Sequence, residues 1–245
     1  MKVNTAQSQD QTIYDPTCGS GSLLLKASLL KGIKKGDKPK ELIYQLGENL
    51  LQSFTGKSLI DKYDVYQHLM IYWLETMKDD VYILVEDGWK AEIKEVVNQK
   101  GKVINYVCEL IPKELMINRY FQAEQDAIET LESKKDEIVR QQEEMQEEYG
   151  GEEGLLEEVA GDSGKISKTN VNNRIKVIKN DVDCGEELQV LKAYFKLIEA
   201  EAKVNKEIAE ATKELNNQVL KKYSQLSEDE IKSLVVDDKW FPTLP

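Results

Sequence analysis

Histidine is almost missing from this 245-residue chain, which has one, His68, and its three cysteines, Cys18, Cys108 and Cys184, lie far apart. With no paired Cys or His spacing, zinc and redox motifs are disfavoured, and so is a disulfide framework. That usage fits a reducing cytoplasm. Long apolar runs are lacking too: the best, Leu23 to Leu30, is broken by Lys26 and Ser28, far short of the ~18 residues of a membrane span. The opening MKVNTAQSQDQ is polar and has no apolar core of a secretory signal. Basic charge is in deficit, with 33 Lys and Arg against 45 Asp and Glu, a net charge of −12, and a pI near 4.8. Such a chain does not grip nucleic acid phosphates unaided, so any DNA contact falls to a more basic partner. What is present, 40% hydrophobic and 32% charged residues, is the composition of one or two soluble domains.

Along the chain, Thr12 to Ala27 reads as a short strand, a turn rich in Gly, Ser and Pro, and the start of a helix. A basic patch (Lys31, Lys34, Lys35, Lys38, Lys40) precedes an amphipathic helix carrying Leu42, Ile43, Leu46, Leu50 and Leu51. Tyr63 to Met77 place Val65, Leu69, Tyr72, Trp73 and Met77 on one helical face, the pattern of core packing. His68, inside this helix without a second ligand nearby, reads as an ordinary packed or surface residue. Three β-leaning runs follow, Val81 to Val85, a stretch around Trp89 to Val97, and Val103 to Ile111, with turns at Asp87-Gly88 and Lys100-Gly101-Lys102. They predict a small antiparallel sheet.

From Ile117 the pattern becomes a near-heptad seam of Ile117, Phe121, Ile128, Leu131, Ile138 and Met145, a long helix running to Tyr149. Gly150-Gly151 stop it, and Glu152 to Asp183 reads as a mobile connection. A second long helix begins near Glu186, its seam first Leu188, Leu191, Phe195, Ile198 and Ala202, then drifting to Val204, Ile208, Ala211 and Leu215. Two such helices predict an antiparallel, coiled-coil-like hairpin. Ser227 and Glu230 form a capping box before a short helix, and Trp240-Phe241 near the end suggests a docking segment. The expected fold is mainly α with a small β element. Its expected divisions are residues 1–30, 31–116, 117–222 with a Gly-rich acidic loop at 150–185, and 223–245.

The strongest chemical signal is Asp15-Pro16-Thr17-Cys18-Gly19-Ser20-Gly21-Ser22. After a strand, the glycines permit positive φ and close backbone approach to a ligand, and the following helix offers free N–H groups. Thr55-Gly56-Lys57-Ser58 imitates the end of a phosphate-binding loop, but Leu51 stands where that pattern needs glycine, so ATP binding is rejected.

Flanked by Ile13-Tyr14 and Leu23-Leu24-Leu25, the Asp15 to Ser22 segment resembles the cofactor loop of S-adenosylmethionine-dependent DNA adenine-N6 methyltransferases. More narrowly, it resembles the modification subunit of type I restriction-modification systems. Leu59 to Met70 with Tyr72-Trp73, Asp87-Gly88-Trp89-Lys90, Leu110-Ile111-Pro112-Lys113, and Leu234 to Trp240 are similar to the carboxyl-terminal half of those subunits. The resemblance implies S-adenosylmethionine as cofactor, held at Asp15 to Ser22 with Asp15 anchoring the turn. It also implies assembly of two modification subunits around one specificity subunit, and through it contact with the restriction subunit and DNA. The carboxyl-terminal helices are expected to pack on the specificity subunit's helical spacer.

The departures limit what the resemblance carries. Family members are longer and hold an Asn-Pro-Pro-Tyr/Phe motif whose Asn accepts hydrogen bonds from the flipped adenine's amine while the aromatic stacks on it. Here all five prolines are isolated, so the base pocket is missing and no catalytic residue is named. Nor does Lys26 to Lys40 contain an apolar strand ending in an acidic residue to hold the ribose. The expectation is a subunit shortened internally and at its end, limited to assembly with the specificity subunit. Against it stands an acidic coiled-coil interaction protein or DNA mimic, motivated by the acidic run Glu143 to Glu158.

Overall fold

A computed structural model describes residues 27–53, 61–151, 154–160, 166–181 and 183–243. The protein is mainly helical with a small antiparallel sheet among the described residues, and divides into two compact units, residues 1–120 with 219–245, and 121–218.

In the first unit, α1 (Ala27–Lys31) and α2 (Pro39–Ser53) are followed by α3 (Lys62–Tyr72), which runs through a π-helical turn, Trp73–Met77, into α4 (Lys78–Asp87). The Asp61 side chain caps α3 by accepting from the Tyr63 N–H. The apolar face read from the sequence holds: Val65, Leu69, Tyr72, Trp73 and Met77 are all buried. The π turn, in which the Lys78 N–H reaches back to the Trp73 carbonyl, inserts a residue so that Val81 and Leu84 continue the same buried stripe.

Val81 to Val85 is thus helical, and the strand expected there is corrected. Its β-branched residues favour a strand in isolation. At spacings of four and three, however, Met77, Val81 and Leu84 offer a helical face that is at most 1% exposed, and tertiary packing decides. Gly88, with φ +80°, ends the helix in a conformation that side chains rarely adopt.

The sheet has two strands, β1 (Lys94–Val97) and β2 (Val103–Val107), with a register shift between Val96 and Val97. Gly101 supplies positive φ in the turn, where the Asn98 carboxamide oxygen accepts from the Lys100 and Lys102 N–H groups. Beyond it, α5 (Lys113–Tyr120) precedes the unit boundary. The unit's last segment opens with α9 (Glu228–Ser233), whose predicted capping box is present, and continues as a π-helical stretch, Leu234–Trp240.

The second unit contains α6 (Gln122–Tyr149), α7 (Lys168–Ile178) and most of α8 (Gly185–Tyr223). The single helix expected from Ile117 is interrupted at Phe121, whose φ of −135° and ψ of 27° separate α5 from α6. Along α6 the heptad seam buries Ile128 and Ile138 and half-buries Leu131 and Met145. On α8 the drifting stripe is buried or half-buried except at Ala202, which is exposed. The Gln142 side-chain N–H donates to Glu201, and that of Gln146 to the Tyr194 hydroxyl, so residue numbers rise on α6 as they fall on α8.

The connection expected over 150–185 holds structure. A 3-10 turn (Glu157–Val159) and α7 pack Leu156, Val159, Val171 and Ile178 against Val190, Leu191 and Tyr194 of α8. Ser167 caps α7 by accepting from the Asn170 N–H. Val171, Ile175 and Ile178 form an ordinary i, i+4, i+7 stripe; the surrounding asparagines and basic residues obscured it.

Candidate functional site

The cofactor-loop residues Asp15, Pro16, Thr17, Cys18, Gly19, Ser20, Gly21 and Ser22 lie outside the described residues, as do Thr55 to Ser58. His68 is exposed on α3. Among the described residues no group of three or more His, Cys, Asp or Glu side chains is placed to hold a metal, and no helix is long and apolar enough to cross a membrane. Among the described residues, polar chemistry gathers in each unit.

In the first unit the carboxyl-terminal segment folds back into the core. Asp80, 6% exposed, receives the Lys239 ammonium at 2.8 Å and the Trp240 indole N–H at 2.8 Å. The same ammonium donates to the Leu110 carbonyl at 2.9 Å, and the Tyr72 hydroxyl donates to the Trp240 carbonyl at 2.6 Å. Burial pushes the Asp80 carboxyl up against the opposing pull of Lys239, and pushes the Tyr72 hydroxyl up to about 12. Every polar atom in this cluster has a protein partner, so it acts as a lock holding Trp240, 0% exposed, against α3 and α4. The docking expected of Trp240 takes place inside its own unit. Cys108 is likewise buried, its thiol pushed up by burial.

Around the lock, Lys31 pairs with Asp237 at 2.7 Å, Arg119 with Asp238, and Lys222 with Glu230 at 2.8 Å. Glu230 also accepts from the Ser227 backbone and hydroxyl. The Lys222 hydrogen bond first, and then the Ser227 bonds, hold its carboxyl down at about 2. Away from this core the unit exposes Tyr44, Tyr63, Leu74 and Tyr82, as well as Val97 and Ile104 of the hairpin.

In the second unit an open groove of about 680 Å³ runs between α6 and α8. Met145 and Leu197 contribute apolar surface, Glu144 and Glu148 stand on the α6 wall, and Lys192 and Lys196 on the α8 wall. Near the groove, Arg174 of α7 holds Glu187 of α8 at 2.6 Å and Glu158 at 3.2 Å. The walls escaped the sequence reading although their i, i+4 spacing is legible, because charges at that spacing on a long helix read as a solvated face. The lock escaped it because its partners lie 159 and 160 residues apart.

Compared with family models, with curated proteins and with solved structures, the chain matches none of them.

Proposed function

We propose that this chain is an assembly subunit of the kind found in type I restriction-modification systems, docking α6 and α8 on the helical spacer of a specificity subunit without methyl transfer of its own. The observation that carries the reading is the pair of long helices, 28 and 39 residues, linked side to side by bonds whose order is that of an antiparallel hairpin. A coiled-coil-like hairpin of that kind, polar outside and thin at its seam, packs on further helices by side-chain interdigitation. The resemblance of the Asp87 to Lys90 and Leu234 to Trp240 segments to modification subunits supports the choice of partner. The Asp15 to Ser22 loop is the segment through which S-adenosylmethionine would bind. In complete family enzymes that cofactor supplies the methyl group attacked by the adenine amine.

The test is co-purification with the cognate specificity subunit, read as complex mass by light scattering on a sizing column. A stable complex is expected, together with no cofactor binding by calorimetry. Two separate peaks overturn the assembly reading, and measurable cofactor binding overturns the loss of the enzymatic half.

A second reading, an acidic protein that mimics DNA charge, is favoured by one observation: residues 121–218 hold 24 acidic and 13 basic side chains, nearly the whole of the chain's net charge. Competition with DNA for a basic protein, lost at high salt, separates it from the first.

A further inference from the structure

The groove between α6 and α8 has opposite charges on its two walls, and its register matches a second copy of itself. Glu144 and Glu148, one helical turn apart on α6, face the same opening as Lys192 and Lys196, one turn apart on α8. All four are exposed, and among the described residues none makes an ion pair across the groove. Lys192 and Lys196 have no ion-pair partner among those residues. Glu144 pairs only with Arg140, on its own helix and more than half exposed, and Glu148 makes no ion pair among those residues. Between the walls lie half-buried Met145 and Leu197 and exposed Ala193, apolar surface that a further helix layer would take from water.

The bond from Gln146 to Tyr194 sets the heights. With the helices running in opposite senses, it puts Glu144 near the height of Lys196 and Glu148 near that of Lys192, within the reach of these long side chains. A two-fold axis parallel to the helices leaves every residue at its own height while laying α6 of one copy over α8 of the other. Each copy's Glu144 then meets the other's Lys196, and each Glu148 meets the other's Lys192. Such an interface is isologous, closes after two chains, and needs no adjustment of register.

We infer that this chain pairs with a second copy of itself through the α6–α8 groove, giving a four-helix bundle whose apolar floor is shared and whose charged walls interlock. The apolar surface supplies the attraction, and the walls select partner and register. Unit 2 is strongly acidic, so two copies repel at long range; salt near physiological strength screens that repulsion beyond ~8 Å and leaves the wall contacts, which are closer. The inference goes beyond the specificity-subunit reading and does not rest on it. A chain that ignores a specificity subunit yet pairs with itself sinks the first and leaves the second standing.

Sedimentation equilibrium of the full chain over a wide concentration range at physiological salt tests it. Twice the chain mass of 28.0 kDa is expected for the unaltered protein. Lys192→Glu with Lys196→Glu makes all four wall residues acidic, and Glu144→Lys with Glu148→Lys makes all four basic. Each double variant is expected to raise the dimer dissociation constant by about tenfold or more. An equimolar mixture of the two is expected to restore the dimer, now mixed, because opposite walls meet again. Circular dichroism confirms that both variants keep their helices. A single-copy mass for the unaltered chain at every concentration overturns the proposal, and so does a dimer indifferent to both reversals. A dimer that the reversals abolish and the mixture fails to restore overturns the assigned register.

Discussion

The two units spend their sequence differently. Residues 1–120 with 219–245 are nearly neutral, 20 basic against 21 acidic, while 121–218 carry a net charge of −11. Among the described residues the first unit buries 24 hydrophobic side chains, including Trp73, Trp89 and Trp240; the second buries 11, and seven of those belong to the small cluster where α7 meets α8. Along the rest of α6 and of the second unit's part of α8, only Ile128, Ile138, Val204 and Leu215 are buried among the described residues. The first unit is therefore held by a core closed by a partly buried ion pair, and the second by a seam with a plug at one end. A seam leaves most of each helix's surface available to something else, which is why the interaction surfaces argued above lie in the second unit.

The comparison breaks first if the carboxyl-terminal segment is not the closure of the first core. Trp240→Ala removes a fully buried aromatic and should cost about 3–5 kcal/mol, read as a lowered urea midpoint reported by the unit's remaining tryptophans. Lys239→Met should cost roughly 2–4 kcal/mol, less than for a wholly enclosed pair because Lys239 is 21% exposed. It leaves the Asp80 carboxylate in the core with only the indole N–H and strands the Leu110 carbonyl. If Asp80→Leu combined with Lys239→Met recovers full stability, the pair is dispensable and packing alone holds the lock. The expectation is partial recovery, since the Trp240 N–H and Leu110 carbonyl still lack partners.

Leu156→Ala tests the second unit. The side chain is 0% exposed and packs in the α7 cluster, so the loss should be about 2–3 kcal/mol, at the low end for a buried leucine because the cluster is small and can relax. Its consequence should be local. Hydrogen exchange of α7 amides should quicken while the amides of α3 and α4 stay protected. Equal quickening in both units would mean that they unfold as one body.

Much of this organisation was legible in the sequence, and the failures have physical causes. The stripes of α3, α6 and α8, two of the three runs expected to pair as strands and the Ser227 capping box are local signals, and they stand where periodicity and turn chemistry put them. Val81 to Val85 misled because β-propensity is weak beside burial, and the buried face they continue, from Val65 to Tyr72, reaches them through a π turn, Trp73–Met77, that no simple period anticipates. Helix α7 was hidden because its buried stripe, Val171, Ile175 and Ile178, is short and stands among asparagines and basic residues; it becomes a helix by packing on α8. The Asp80 lock is a long-range pairing that spacing cannot reveal. The proposed cofactor loop was the most chemically suggestive segment of the sequence and lies outside the described residues, so the sequence and the structure speak to different parts of the candidate function.

The smallest expected effect sharpens the charge contrast between the units. Acidic residues in the second unit mostly face solvent, whereas Glu230 in the first is tied to Lys222, Ser227 and Tyr120 and its carboxyl is held at about 2. A folded-state value below the usual 4.5 means that the unfolded chain takes up the proton first as pH falls. The stabilisation from Glu230 is therefore fully present above about pH 4.5 and is lost progressively towards pH 2. Glu230→Gln should lower the urea midpoint at neutral pH by the lost ion pair and the weakened cap. The gap between variant and unaltered protein should close as pH falls through that window, because protonation then does to Glu230 what the substitution did. Both partners are partly exposed, so the effect should be modest and should shrink in high salt. A gap independent of pH would show that the cap geometry, rather than the charge of Glu230, is what stabilises the start of α9.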